Sequence, residues 1–350
     1  MHVVDSARVT PRDVLTAYLD EQVERATPYG RDYHDLWTAI RETTLGGKQL
    51  RPELLMGTYR LLGGDDHPLA ATVGAAVELL HAAFVLHDDV IDHDDTRRGR
   101  PTVNGRFTDS ALAAGSAVGR ADALGAAAGI LAGDLALGAA VRLVATSDAA
   151  PHARQTLLDL VDHALFATAA GELADVRYSL GETPVDLAAV ITMEALKTAV
   201  YSFELPLQAG AVLAGAGPHV LEHLGRFGRK VGIAFQLLDD VQGVFGASAD
   251  TGKSVLTDLR EGKHTPLVTH ARTTAAWAVL QPVLGDPELT EADVEDVRRA
   301  LETSGSRAFV EDLADDYLRA ARDLARGPDL PEGFDTWFDS MTEAFVRRVA

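Results

Sequence analysis

The chain has 350 residues, a net charge of −20 at neutral pH and no cysteine. The lack of cysteine excludes disulfides, thiolate zinc sites and cysteine nucleophiles. The negative field repels nucleic acid and anionic lipid, so neither is expected as a partner. An anionic ligand would need a local cluster of cations or a bound metal to hold it.

The first residues, 1–12, carry charges of both signs and no apolar core. This pattern lacks the features of a signal peptide, and we expect a cytoplasmic protein. The longest uncharged stretch, 205–221, has 17 residues and two prolines. It is shorter than the roughly 20 apolar residues that span a bilayer, so no membrane-spanning helix is expected.

Apolar residues recur with helical spacing along the chain, and strictly alternating β-branched runs are nearly absent. The sequence therefore predicts an all-α fold. No repeat or break in composition separates one part from another, which favours a single helical domain over 1–350. The predicted helices are 11–27, 31–44, 48–62, 68–95, 107–115, 118–147, 151–174, 186–215, 218–245, 264–282, 289–304, 306–325 and 332–348.

A dense group of charges, HDDVIDHDDTRRGRPT, occupies residues 87–102 and follows a strongly apolar helical run. Asp88 and Asp92 are four residues apart, so on a continuing helix both carboxylates project from one face, with Asp89 beside them. A solvated acidic helix end is the ordinary explanation of such a run, but the preceding residues are too apolar for a surface helix. Oxygen ligands with open positions favour Mg²⁺, and the Arg97–Arg98 pair suggests phosphate recognition.

A second acidic pair, Asp239 and Asp240, closes the apolar run FQLLDD. One such pair is weak evidence, but two at the ends of two apolar helices would form a cup for several divalent ions if the helices face one another. Lys253 in TGKS and Lys263 in EGKHTP add positive charges to the set of candidate residues. The stretch 246–254, GASADTGKS, has five residues between its glycines where a P-loop requires four, which excludes that nucleotide-binding motif.

Five motifs stand in order along the chain: GGKQLRP, LLHAAFVLHDDVIDHDDTRRGRPT, LKTA, FQLLDD, and GK followed by DLREGKHTP. Over about residues 46–265 the sequence resembles the trans-type isoprenyl diphosphate synthases, or polyprenyl synthetases, and within them the short-chain farnesyl and geranylgeranyl diphosphate synthases. The resemblance implies an all-α bundle around a deep central cavity, usually in a homodimer. It also implies condensation of isopentenyl diphosphate with an allylic diphosphate, assisted by about three Mg²⁺ ions per site or by Mn²⁺.

The resemblance also assigns roles to residues at matching positions. Metal ligands would be Asp88, Asp92 and Asp239, and the other catalytic residues would be Asp89, Asp240 and Lys197. The isopentenyl diphosphate pocket would contain Lys48, Arg51, His81 and Arg98. The allylic diphosphate would be held by Arg97, Lys197, Thr198, Gln236, Lys253 and Lys263. The sequence departs from the common pattern at Gly243, where many members of the family carry a third aspartate.

Product length is predicted from the residues just before the first aspartate motif. Phe84 lies one turn before Asp88 on the same helical face, and its neighbour is the small Ala83. A benzyl group there would act as a floor for the growing chain, which predicts a product of about fifteen to twenty carbons, with twenty favoured. The competing interpretation is that Phe84 only packs in the core.

Three other functions stay open at this point. A non-catalytic subunit of a heteromeric synthase would share the fold, and Gly243 is the feature in its favour. A terpene cyclase would share the first aspartate motif but would not need Lys48, Arg51, His81 and Arg98. A His-Asp metal phosphohydrolase would leave Asp239 and the lysines without roles.

Overall fold

The computed structural model describes residues 9–97, 99–181, 185–246, 257–286 and 288–349, with side chains described for all of these except 257–258 and 343–349. The described chain is almost entirely helical, which confirms the predicted all-α fold. It divides into two compact units, one of residues 1–161 and 206–217 and the other of 162–205 and 218–350. The prediction that 1–350 forms one domain stays a prediction.

The first unit is organised around α4 (His67–Ile91), which packs against α6 (Val118–Ala145), α3 (Leu50–Leu61) and α1 (Pro11–Ala26). The Asp66 side chain caps α4 by accepting a hydrogen bond from the backbone of Leu69, which satisfies one of the free N–H groups at the helix start. The other elements of this unit are α2 (Arg31–Leu45), strands β1 (Thr96–Arg97) and β2 (Arg100–Pro101), α5 (Val103–Ala113), the start of α7 (Pro151–Ser179), and α9 (Leu205–Leu213).

A row of glycines on α6 lets neighbouring backbone and side chains approach closely. Gly125, Gly129 and Gly133 are four residues apart and share one helix face. A Cβ atom at Gly129 would lie 2.3 Å from Val90 Cγ2, and one at Gly133 would lie 2.2 Å from His87 Nε2. Gly129 and Gly133 are therefore required by close packing of α6 against the last turns of α4.

The second unit is built on α10 (Pro218–Phe245), which packs against α15 (Ser306–Ala325) and against the π-helical segment Ala195–Glu204. Its aromatic core includes Phe227, whose ring centroid lies 5.3 Å from that of Phe334. The remaining elements here are α8 (Leu187–Glu194), α11 (Thr257–Arg260), α12 (Pro266–Ala271), α13 (Trp277–Leu280), α14 (Glu291–Thr303) and α16 (Phe334–Val349).

The structure corrects three parts of the secondary-structure prediction. The helix predicted over 68–95 ends at Ile91, and a two-stranded antiparallel hairpin follows, pairing Thr96 with Pro101. The helix predicted over 264–282 is two short helices, α12 and α13. The helix predicted over 186–215 contains ten π-helical residues in its middle.

Two helices, α4 and α6, are long and apolar enough to cross a membrane on length and composition alone. The most apolar window of α4 is 72% buried inside the protein and that of α6 is 44% buried. The core helices of soluble proteins meet the same criteria, so length and composition do not distinguish a buried core helix from a membrane-spanning one. The expectation that no helix spans a membrane stays a prediction.

Candidate active site

The first aspartate motif lies at the end of α4. Asp88 is in the last helical turn and Asp92 is the C-cap, its N–H donating to Asp88 O at 2.8 Å. The helix stops earlier than predicted, yet a carboxylate oxygen of Asp88 and one of Asp92 lie within 4.8 Å of each other. Both residues are partly exposed. The pair therefore offers hard oxygen ligands at a separation that one divalent cation can bridge, the donor type that Mg²⁺ prefers.

The β1–β2 hairpin folds back and places Arg97 beside this motif. Its Nε donates to Asp89 Oδ1 at 2.6 Å, and its Nη2 lies 3.1 Å from Asp88 Oδ2 and 3.4 Å from Asp94 Oδ2. One guanidinium thus neutralises part of the charge of three neighbouring carboxylates. Its predicted contact with the allylic diphosphate stays a prediction.

Asp89 differs from Asp88 in its environment. It is buried, whereas the side chain of Asp88 is about one-quarter exposed. Burial raises the pKa of Asp89 to about 6, and the Arg97 guanidinium opposes that increase. Asp89 therefore anchors Arg97 from inside the protein, while Asp88 and Asp92 remain accessible to an ion. The catalytic role predicted for Asp89 stays a prediction.

Residues predicted for the isopentenyl diphosphate pocket lie on and around α3 and α4. Lys48 is exposed in the turn before α3, Arg51 is partly buried in the first turn of α3, and His81 is partly buried on α4. Arg98 lies outside the described residues. Sequence reasoning missed Glu78, a buried carboxylate on α4 whose Oε1 lies 3.0 Å from the position that a Cβ of Gly47 would occupy.

The residues predicted to limit product length also lie on α4. Ala83 is fully buried, and Phe84 is partly buried. The floor role of Phe84 stays a prediction.

In the second unit, Lys197 lies in the π-helical segment and is held by two acidic side chains of α7. Its Nζ is 2.9 Å from Glu172 Oε2 and 2.7 Å from Asp175 Oδ2. The Lys197 side chain is only 20% exposed, and that of Asp175 is 10% exposed. The ammonium group is therefore fixed in position. Its predicted role toward an allylic diphosphate stays a prediction.

Two glycines allow the neighbouring helices to reach the π-helical backbone. A Cβ at Gly171 on α7 would lie 2.3 Å from Lys197 N, and one at Gly232 on α10 would lie 2.4 Å from Ala199 Cβ. Larger residues would push both helices away. Long π-helical segments are rare and tend to occur at functional sites, and this one carries the LKTA motif.

The second aspartate pair lies inside α10, before its end at Phe245. Asp239 is exposed, whereas Asp240 is buried and accepts a hydrogen bond from Gln236 Nε2 at 2.8 Å. The helix runs to Phe245, as predicted for 218–245, so the pair lies more than one turn before the helix end. The assignment of Asp239 as a metal ligand stays a prediction.

Glu194 is a second residue that the sequence analysis missed. It is the last residue of α8 and is buried beside the Asp240 carboxylate. Burial and the neighbouring Asp240 carboxylate raise the pKa of Glu194 well above its ordinary value. The fold therefore brings two buried carboxyl groups together next to the second aspartate motif. Spacing alone does not single out Glu194, because it is one polar residue in an apolar run.

The remaining predicted residues are distributed as follows. Thr198 is partly buried in the π-helical segment. Lys263 is partly buried, with its Nζ 2.8 Å from Glu261 Oε2. Lys253 lies outside the described residues. The prediction that Asp88 and Asp239 serve one cavity involves both compact units and stays a prediction.

Comparison with known proteins identifies the family. The model of the polyprenyl synthetase family matches residues 35–303, a range that contains all five motifs. A geranylfarnesyl diphosphate synthase of Aeropyrum pernix is 32% identical over 87% of this chain and 91% of its own length. A geranylgeranyl diphosphate synthase of Mycobacterium tuberculosis is 34% identical over 94% of this chain and 90% of its own length.

Similar solved structures indicate the same family. Geranylgeranyl pyrophosphate synthase from Corynebacterium glutamicum, complexed with isoprenyl diphosphate and magnesium, superposes with a TM-score of 0.89 at 27% identity, covering 97% of both chains. A polyprenyl synthase from Caulobacter crescentus, complexed with calcium and isoprenyl diphosphate, superposes with a TM-score of 0.74 at 28% identity, again covering 97% of each chain. This chain belongs to the polyprenyl synthetase family.

Proposed function

We propose that this protein is a prenyltransferase that condenses isopentenyl diphosphate with an allylic diphosphate and releases a short all-trans prenyl diphosphate. The observation that carries the proposal is the Asp88–Asp92 carboxylate pair, with oxygens within 4.8 Å, beside the Arg97 guanidinium at the end of an apolar helix. Anionic diphosphates need cations in a protein whose net charge is −20. The relatives named above are diphosphate synthases, which supports the same reaction class.

Magnesium fits the first aspartate motif. Its ligands would be Asp88 and Asp92, which are partly exposed carboxylates and leave further coordination positions for phosphate and water. When bound, the ion supplies positive charge that lowers the free energy of a departing diphosphate. Mn²⁺ is an alternative ion of similar ligand preference. A set of about three ions, completed by Asp239, is the family expectation.

The reaction requires charge neutralisation and protection from water. The allylic carbon–oxygen bond breaks, and the diphosphate leaves with the electron pair. The double bond of isopentenyl diphosphate then supplies two electrons for the new carbon–carbon bond, and a proton passes to the released diphosphate. Fixed cations such as Lys197, held within 2.9 Å of two carboxylates, would stabilise the leaving group in a preorganised way. Apolar residues such as Ala83 would exclude the water that quenches a carbocation.

Gly243 does not weaken this proposal. A glycine offers no side-chain ligand, so the second motif has fewer carboxylates than the first. The predicted ligand of the second motif is Asp239, which is present and exposed. We therefore propose unequal metal duties for the two motifs.

Incubation of the purified protein with isopentenyl diphosphate, Mg²⁺ and each allylic starter in turn tests the function directly. A longer prenyl diphosphate is the expected product, and chromatography of the dephosphorylated alcohols gives its length. Cyclic hydrocarbon formed from the allylic substrate alone would indicate a cyclase instead. Lack of any product with every starter would indicate a non-catalytic subunit.

Product length is tested with Phe84. We expect Phe84→Ala to shift products toward longer chains, because the benzyl group no longer blocks the path along the face of α4 that carries Asp88. Phe84→Leu, which keeps a large apolar side chain, is the matched control and should shift products less. An unchanged product profile in an active, folded Phe84→Ala variant would mean that Phe84 only packs in the core.

We also propose that the protein forms homodimers. Phe166 and Leu173 on α7 are 79% and 72% exposed and stand seven residues apart, so they share a helix face. Leaving such large apolar groups in water is unfavourable, and pairing with a second copy would bury them. Sedimentation equilibrium should give a dimer mass for the wild type, and Phe166→Glu with Leu173→Glu should shift it toward monomer. A monomeric wild type at micromolar concentration would contradict this proposal.

A further inference from the structure

Asn104 connects the start of α5 with the end of α4. It is buried, and its Nδ2 donates to Asp94 O at 2.9 Å and approaches Asp89 O at 3.5 Å. Its Oδ1 is also buried and accepts no hydrogen bond from the described residues. The polar function of this side chain is therefore donation to the backbone of the first aspartate motif.

Thr102 adds to the same connection. Its Oγ1 donates to Asp94 O at 2.7 Å, and its backbone N–H donates to Asp95 O at 3.0 Å. The segment after the hairpin thus folds back and binds the backbone that follows α4. Two side chains, Thr102 and Asn104, donate to one carbonyl oxygen, which holds Asp94 firmly.

Helix α6 packs closely against Asn104 and restricts its position. A Cβ at Gly125 would lie 2.5 Å from Asn104 O, and one at Gly129 would lie 3.6 Å from Asn104 Cβ. A Cβ at Gly105 would lie 2.3 Å from Asp95 O. These close approaches leave the Asn104 backbone little freedom to move, so the donor group is aimed at the end of α4.

The end of α4 needs such support. Several carboxylates lie within a few residues of one another, and their mutual repulsion favours unravelling of the last turn. The chain also leaves the helix through His93, a non-glycine residue with φ of 56°. A non-glycine residue in the left-handed region is strained and persists only where its surroundings hold it in place. Donors fixed on the Asp89 and Asp94 carbonyls supply that restraint.

We propose that Asn104 is a positioning residue for the metal site, holding the backbone around Asp88 and Asp92 so that their carboxylates bind a divalent cation tightly. This inference rests on the proposed function, because it takes those two aspartates as the ligands. Groups that orient metal ligands without touching the metal typically change metal affinity by about 10–100-fold when they are replaced.

Asn104→Asp is the decisive variant, because it has nearly the same volume but turns the donor into an acceptor that faces two carbonyl oxygens. We expect the dissociation constant for Mn²⁺, measured by electron paramagnetic resonance with inorganic pyrophosphate present, to rise about tenfold or more. The Mg²⁺ concentration for half-maximal activity should rise similarly, and activity should recover at high Mg²⁺. Asn104→Ala removes the donor without adding charge and should also raise the Mn²⁺ dissociation constant. It replaces Asn104→Asp in the experiment if that variant does not fold.

Thr108→Val is the matched control. Thr108 lies one turn further along α5, its Oγ1 donates to Ala121 O at 3.4 Å, and it contacts the same α6 glycine face at Gly125. Losing that hydrogen bond should lower the melting temperature but leave Mn²⁺ affinity unchanged. Unchanged Mn²⁺ affinity in both Asn104 variants would overturn the inference.

Failure of the inference and failure of the proposed function give different results. If the wild type condenses the two diphosphates but the Asn104 variants bind Mn²⁺ normally, the positioning role is wrong and the function stands. If Mn²⁺ binding depends on Asn104 but no condensation product forms with any starter, the positioning role stands and the function is wrong.

Discussion

Replacing Asp88 with Asn is expected to lower kcat by about two orders of magnitude or more, the scale for losing one major electrostatic stabiliser of a transition state. Asn preserves the shape of the side chain but removes the charge that would bind Mg²⁺ together with Asp92, whose oxygen lies within 4.8 Å. The fold should survive, because Arg97 keeps its 2.6 Å hydrogen bond to the buried Asp89. Steady-state assays at saturating substrate and circular dichroism melting would measure the two effects separately.

Asp94→Asn is the matched control for this experiment. Asp94 belongs to the same charged run and its Oδ2 lies 3.4 Å from Arg97 Nη2, but it is not a predicted metal ligand. Its loss should weaken the ion-pair network and lower kcat by less than about tenfold. If Asp88→Asn retained wild-type kcat with an unchanged Mg²⁺ requirement, the assignment of the first metal site would be wrong.

The sequence predicted the helices well where helical periodicity was uninterrupted. The predicted 218–245 and 306–325 agree with Pro218–Phe245 and Ser306–Ala325 in the structure. In both, a single apolar face recurs over many turns, so the period alone identifies the element. The family prediction succeeded for a related reason: five spaced motifs constrain the chemistry far more than any one of them does.

The errors in the secondary-structure prediction have particular physical causes. The π-helical segment 195–204 follows a hydrogen-bond pattern that a 3.6-residue period does not reveal, and the visible clues were Gly171 and Gly232 inside other helices. The hairpin at 96–101 has strands too short to show alternation. Each of these two glycines allows a neighbouring helix to approach closely, and both lie against the LKTA motif.

Residues that act through tertiary contacts could not be predicted from spacing. Glu194 is 46 residues from Asp240 in sequence, and Asn104 reaches the carbonyl of Asp89, 15 residues earlier. Neither belongs to a recognisable motif, so only the folded chain shows what each one touches. The sequence thus predicted a set of charged candidate residues, and the structure added the buried groups Glu194 and Asn104 that contact them or their backbone.

The second large effect is expected at Lys197. Lys197→Met keeps much of the side-chain volume but leaves Glu172 and Asp175 without the ammonium group that lies 2.9 and 2.7 Å from them. Removing one partner of a largely buried ion pair costs roughly 3 kcal/mol in the free energy of unfolding. If Lys197 has its predicted role, the same change should lower kcat by about a hundredfold, because the site loses a fixed positive charge that would stabilise the leaving diphosphate.

A matched substitution separates the loss of this ion pair from the general effect of replacing a lysine with methionine. Lys230→Met is the matched control: its Nζ lies 5.6 Å from the centroid of the Tyr317 ring, and its loss should cost less than about 1 kcal/mol. A Lys197→Met protein with wild-type kcat would remove Lys197 from the diphosphate site. A loss of stability no larger than that of Lys230→Met would show that the ion pair does not determine it.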